Sequence, residues 1–137
     1  MLDIRNLRTE YDGEWTRLVA DISSDFKRQD CYDTMWVAVK NKNAHMLTTE
    51  SYNAFLLYPL YMAMYYKSDL HLHGKVSEIL YNNMNTYLQP ILESFSADLQ
   101  RVNVTVDGFG EVEGCHDIIG TGISGGWIAS PQFTHIM

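Results

Sequence analysis

Between Trp15 and Ile22 the chain alternates with a period of two. Thr16, Leu18, Ala20 and Ile22 fall on one face, and Trp15, Arg17, Val19 and Asp21 on the other. That period marks a β-strand whose two faces meet different surroundings. Met35, Val37 and Val39 repeat it after a polar connection containing Lys27-Arg28-Gln29-Asp30, so the two strands are expected to pair antiparallel. Asn41-Lys42-Asn43 reads as a turn, and His45 to Thr48 as a short third strand.

The spacing then becomes helical. Phe55, Leu56, Leu57, Leu60, Tyr61 and Met64 predict a helix that is apolar around nearly its whole circumference and therefore central, capped by Thr49 or Ser51. Pro59 is expected to kink it or break it in two. Asp69 to Val76 alternates again and predicts a strand ending at Gly74. Ser77 is placed to cap the next helix, with Glu78 in the first turn, where a carboxylate suits the positive helix end. Leu80, Met84, Tyr87, Leu88, Ile91, Phe95 and Leu99 make its apolar stripe, and Pro90 is expected to divide it. Val102, Val104 and Val106 predict a further strand closed by Asp107-Gly108, and Ile118-Ile119 begins a last apolar run. The fold class is α+β: a mixed sheet with an antiparallel N-terminal portion and two main proline-interrupted helices, the second half having a βαβ rhythm.

Composition narrows the partners. The 137 residues suit one domain with a real core, and 46% hydrophobic with 20% charged residues is globular. A net charge of −7 with ten scattered basic residues argues against nucleic acid, whose phosphates need a clustered basic surface. The longest apolar stretch, Ala54 to Tyr66, is shorter than the roughly 20 residues of a membrane helix, so no membrane is expected. Cys31 and Cys115 lie far apart without a secretory signal layout at Met1-Leu2-Asp3-Ile4-Arg5, which reads as a reduced, cytoplasmic chain.

The densest candidate for chemistry is Ile118-Ile119-Gly120-Thr121-Gly122-Ile123-Ser124-Gly125-Gly126. An apolar strand running into small residues lets backbone amides approach an anion, although glycine-rich turns are common without that role. The run resembles the opening of the nucleotide loop of the PP-loop ATP pyrophosphatases, which reads Ser-Gly-Gly-x-Asp-Ser; Asp69 to Ser77 with its helix is also similar to the amino-terminal segment of an uncharacterised branch. The resemblance implies nucleotide-binding residues Ser124, Gly125 and Gly126, and a parent protein that binds ATP with Mg²⁺ and adenylates an unknown acceptor. It divides the chain into an α+β region at 1–117, the start of an incomplete α/β nucleotide-binding domain at 118–126, and a tail at 127–137.

The tail departs from that pattern: after Gly126 the chain reads Trp127-Ile128-Ala129-Ser130-Pro131, with Ile128 and Ala129 where Asp and Ser belong. Read one base out of step, a Trp codon (TGG) followed by an Ile codon (AT-) contains GAT, which encodes Asp. The tail is therefore expected to be out of frame, and the chain to catalyse nothing and to bind ATP and Mg²⁺ poorly.

Three other groupings compete. His71 and His73 share a strand face and, with Cys115-His116-Asp117, offer nitrogen and sulfur ligands, but the spacing matches no known zinc pattern, so partly exposed strand histidines without a metal are the expectation. A Cys115 nucleophile fails because the adjacent His116 on a strand points to the opposite face. The Tyr/Met-rich helix (Tyr52, Tyr58, Tyr61, Met62, Met64, Tyr65, Tyr66) is either core or a protein-partner surface, and the second choice would make the chain a small interaction module.

Overall fold

The computed structural model describes residues 1–26 and 33–112, and all structural statements refer to these. They form one five-stranded mixed sheet in the order β3-β2-β1-β4-β5. Strands β1 (Leu2–Asp12), β2 (Trp15–Ser24) and β3 (Thr34–Lys40) form an antiparallel meander. Helix α1 (Leu57–Tyr66) leads to β4 (Leu70–Val76), which pairs parallel with β1. Helices α2 (Glu78–Asn83) and α3 (Gln89–Phe95) lead to β5 (Val104–Phe109), parallel to β4. The expected α+β class and the βαβ second half are both present.

One sheet face carries the core. Leu2, Ile4, Leu70 and Leu72 are fully buried beneath Phe55, Leu56, Leu60, Ala63 and Met64 of the α1 segment, and Met84 joins the same cluster. Each of these side chains except Ala63 contributes about 1.5–3 kcal/mol by leaving water. Thr16, Leu18 and Ala20 are buried as the alternation requires, and Ser77 caps α2 by accepting from the Leu80 N–H at 3.4 Å.

Strand β1 was not expected. Its alternation is broken by a bulge: Arg5 pairs with Asp21 and Arg8 with Val19, leaving Asn6 and Leu7 opposite a single residue. Asn6 takes φ +57°, a left-handed conformation that Asn tolerates better than most side chains. The bulge switches the inward parity, so that Leu7, not Asn6, packs on the core.

Several boundaries differ from expectation. Residues 41–46 form a 3-10 helix, so no third strand spans His45 to Thr48. Helix α1 begins at Leu57 without a side-chain cap; Thr49 and Ser51 lie upstream, and the Ser51 hydroxyl accepts from the Asn53 N–H instead. Pro59 neither kinks nor breaks α1. It is the third helical residue, where an N–H would find no helical acceptor, and the first turn closes through Leu60 N–H to Leu56 C=O. Strand β4 runs through Gly74 to Val76, and β5 through Gly108 to Phe109.

Pro90 does interrupt the second helix, but as a π turn over Met84–Leu88 rather than a break. The Gln89 N–H reaches the Met84 carbonyl five residues back, and Pro90 falls in the first turn of α3. The extra residue rotates the register. Gln89 turns inward, while Tyr87, Ile91 and Phe95 of the expected stripe face solvent, Phe95 at 88% exposure. Gln89 replaces a strand neighbour: its Oε1 accepts from Val102 N–H at 3.0 Å, and its Nε2 donates to Val102 C=O at 3.1 Å.

Tyr52 locks β4 to β1. Its N–H donates to Lys75 C=O, and its hydroxyl accepts from Leu7 N–H at the bulge. The ring lies on Gly74, where a Cβ would come within 2.2 Å of Cε2. Gly74→Ala is therefore expected to destabilise the fold by about 1–3 kcal/mol, the usual cost of overpacking. Urea unfolding measures this, and an unchanged midpoint would show that the ring moves aside freely.

Candidate functional site

The second face of the sheet bears no helix among the described residues and collects most of the polar side chains. Parity places Asp3 of β1 and His71 and His73 of β4 on it, because Leu2, Ile4, Leu70 and Leu72 take the opposite face. The β1–β4 register sets Asp3 directly beside His71, and the β4–β5 pairing brings Asp107 alongside.

The geometry is compact. His73 Nε2 lies 2.7 Å from Asp3 Oδ1, and His71 Nε2 lies 2.9 Å from Asp107 Oδ1. His71 Nδ1 stands 4.0 Å from the same Asp3 oxygen. The two imidazoles stack with centroids 3.8 Å apart, and Arg5 Nη2 approaches Asp3 Oδ1 at 3.4 Å. Asp3, His71 and His73 are all partly buried, with side-chain exposures of 21%, 24% and 31%. One ligand atom from each lies within 4.8 Å of the others.

An ionised carboxylate only accepts hydrogen bonds, so each facing Nε2 carries a proton. In the tautomer protonated only on Nε2, the Nδ1 lone pair of His71 faces Asp3. Sequence reasoning paired these histidines with Cys115-His116-Asp117, which lie outside the described residues, and missed both aspartates. The missing signal was strand pairing, since Asp3 and His71 are 68 positions apart in number and adjacent only across the sheet. His71 and His73 do share one face and are partly exposed, as expected.

Further along this face the β1 bulge is pinned by charge. Asn6 Nδ2 donates to Asp21 at 2.8 Å, and Arg8 Nη1 donates to its other oxygen at 2.9 Å. Arg17 pairs with Asp12 and lies over the Trp36 ring, and Lys40 lies over Trp15. Val19, paired with Arg8 on one side and Trp36 on the other, is 3% exposed.

Ser124, Gly125 and Gly126, the residues expected to bind nucleotide, lie outside the described residues, as do Cys31 and Cys115. A shallow polar cleft of about 380 Å³ opens between Asn85, Gln89 and the 100–103 segment. Gln89 is its innermost polar group and is already committed to Asn85 and Val102, so the cleft is a by-product of the helix-to-strand clamp. Helix α1 buries Leu60, Ala63 and Met64 but exposes Leu57, Tyr58, Tyr61 and Tyr65, with Tyr58 at 65%. The helix is thus core on one side only, contrary to the expected all-round burial. No described helix is long and apolar enough to cross a membrane.

Comparison with known proteins returns no match, whether among family models, curated sequences or solved structures.

Asn6 first, and then Arg8, hold the Asp21 carboxyl below the usual carboxylate range. A lowered folded-state value means that Asp21 stabilises the fold above its unfolded titration range and loses that contribution as pH falls through the folded value. Asp21→Asn should therefore lower the urea midpoint at neutral pH and match the parent in strong acid. A difference that persists or widens in acid contradicts this assignment.

Proposed function

We propose that residues 118–126 are the truncated opening of a PP-loop-type nucleotide site, whose intact parent protein would bind ATP and adenylate an acceptor, and that the chain as given is inactive. The observation that carries this reading is the apolar run into Ser124-Gly125-Gly126. Two glycines allow backbone amides to close on a phosphate, and the Ser124 hydroxyl adds a donor. The parallel β4–helix–β5 unit supports the reading, since glycine loops that hold phosphate occur on frames of this kind.

The donor set fits an oxyanion but not a Mg²⁺–ATP complex. Ser124, Gly125 and Gly126 offer backbone amides and a hydroxyl, while the loop they resemble adds a carboxylate where Ile128 stands. A bulky indole and the following Pro131 are poor substitutes at the start of a phosphate-facing helix. The chain as given therefore turns over no ATP, and no catalytic step is assigned to it.

The coding DNA decides the matter. The frame displaced by one base is expected to read Asp across Trp127 and Ile128 and then to stay open with apolar helix residues. The chain continued in that frame is expected to bind Mg²⁺–ATP with micromolar affinity by isothermal titration, weakened about tenfold or more by Gly125→Val. A closed frame, or a continued chain that ignores ATP, overturns the reading.

The exposed Leu57, Tyr58, Tyr61 and Tyr65 favour a second reading, a small interaction module whose glycine run is an ordinary bend. Silence towards ATP in that titration is what it requires.

A further inference from the structure

We propose that Asp3, His71 and His73 form a binding site for one divalent transition-metal ion of the zinc type, with Asp107 positioning His71. This inference is independent of the nucleotide reading, since it uses only strands β1, β4 and β5.

The donor atoms are His71 Nδ1, His73 Nε2 and Asp3 Oδ1. Ligands about 2.0–2.1 Å from a tetrahedral ion stand about 3.4 Å from one another. Asp3 Oδ1 is 2.7 Å from His73 Nε2 and 4.0 Å from His71 Nδ1, so its distances straddle that value. Small side-chain rotations bring the set to coordinating geometry while the backbone stays in register. His73 binds as the neutral tautomer protonated on Nδ1: Nδ1 takes a proton from solvent, Nε2 gives its proton to solvent, and the freed Nε2 lone pair meets the ion.

Asp107 makes the site more than a chance meeting of polar groups. It holds the proton on His71 Nε2 at 2.9 Å, which leaves Nδ1 as the free donor facing Asp3. A carboxylate behind a ligating imidazole is the usual means of fixing its tautomer and ring plane. The stacked rings, 3.8 Å apart, keep both histidines on one side of the carboxylate. Asp3 and Asp107 also balance the two positive charges of the ion.

Two nitrogens and one carboxylate oxygen suit borderline ions such as Zn²⁺ or Co²⁺ better than Mg²⁺, which prefers an all-oxygen shell. Three protein ligands on an open sheet face leave coordination positions for water or an added anion. Arg5 works against the ion, because its guanidinium approaches the same Asp3 oxygen at 3.4 Å.

The test is metal titration of the full chain after chelator treatment, read by native mass spectrometry and calorimetry. The expected result is one Zn²⁺ per chain, with Co²⁺ giving visible absorption of a low-coordinate site and Mg²⁺ not competing. His73→Ala and Asp3→Asn should abolish saturable uptake, Asp107→Asn should weaken it about tenfold, and Arg5→Ala should tighten it several-fold. His45→Ala, an exposed histidine away from the site, should change nothing. Circular dichroism of the metal-free variants checks folding, and the near-isosteric Asp3→Asn carries the test if an alanine variant fails to fold. The site is overturned if no zinc binds, if Mg²⁺ displaces it, or if the His71→Ala/His73→Ala double variant retains it through other residues.

Discussion

The structure depends on the parallel pairing of β1 with β4. Leu2, Asp3 and Ile4 lie beside Leu70, His71 and Leu72, and this short ladder is the only strand pairing that joins the antiparallel meander to the βαβ half among the described residues. It seats four fully buried aliphatic side chains beneath α1. The same ladder sets Asp3 against His71 on the opposite face. Core and candidate metal cluster are thus two sides of one register, and a slip of one residue would exchange them. Tyr52 guards that register by bonding to β1 at Leu7 and to β4 at Lys75 while its ring rests on Gly74.

Much of this was legible from residue order. The alternation at Trp15–Ile22 and Met35–Val39, the Ser77 cap and the valine strand all rest on local periods, and all appear in the fold. β1 was hidden because its bulge at Asn6 and Leu7 breaks the period that marks a strand. Pro59 was misread because a proline signals a break only when it lies beyond the first helical turn. The outward stripe of Tyr87, Ile91 and Phe95 could not be foreseen, since a π turn is decided by packing around Gln89 and Pro90 and leaves no periodic mark. Asp3 and Asp107 were out of reach for a related reason: they meet the histidines only through strand pairing.

The two functional proposals draw on separate parts of the chain. The nucleotide reading stands on a nine-residue run whose chemistry is that of backbone donors. The metal reading stands on side chains of three strands that the fold brings within ligand distance of one another. Neither needs the other, and among the described residues the sheet face is open to a ligand because helices α1, α2 and α3 pack on the opposite side.

Native-state hydrogen exchange tests the central role of the β1–β4 ladder most directly. The amides of Leu2 to Ile4 and Leu70 to Leu72 are predicted to be the slowest in the protein, opening only with global unfolding. Exchange of these amides ahead of those in α1 or β2 would contradict the account, because the two halves of the sheet would then part before the core does.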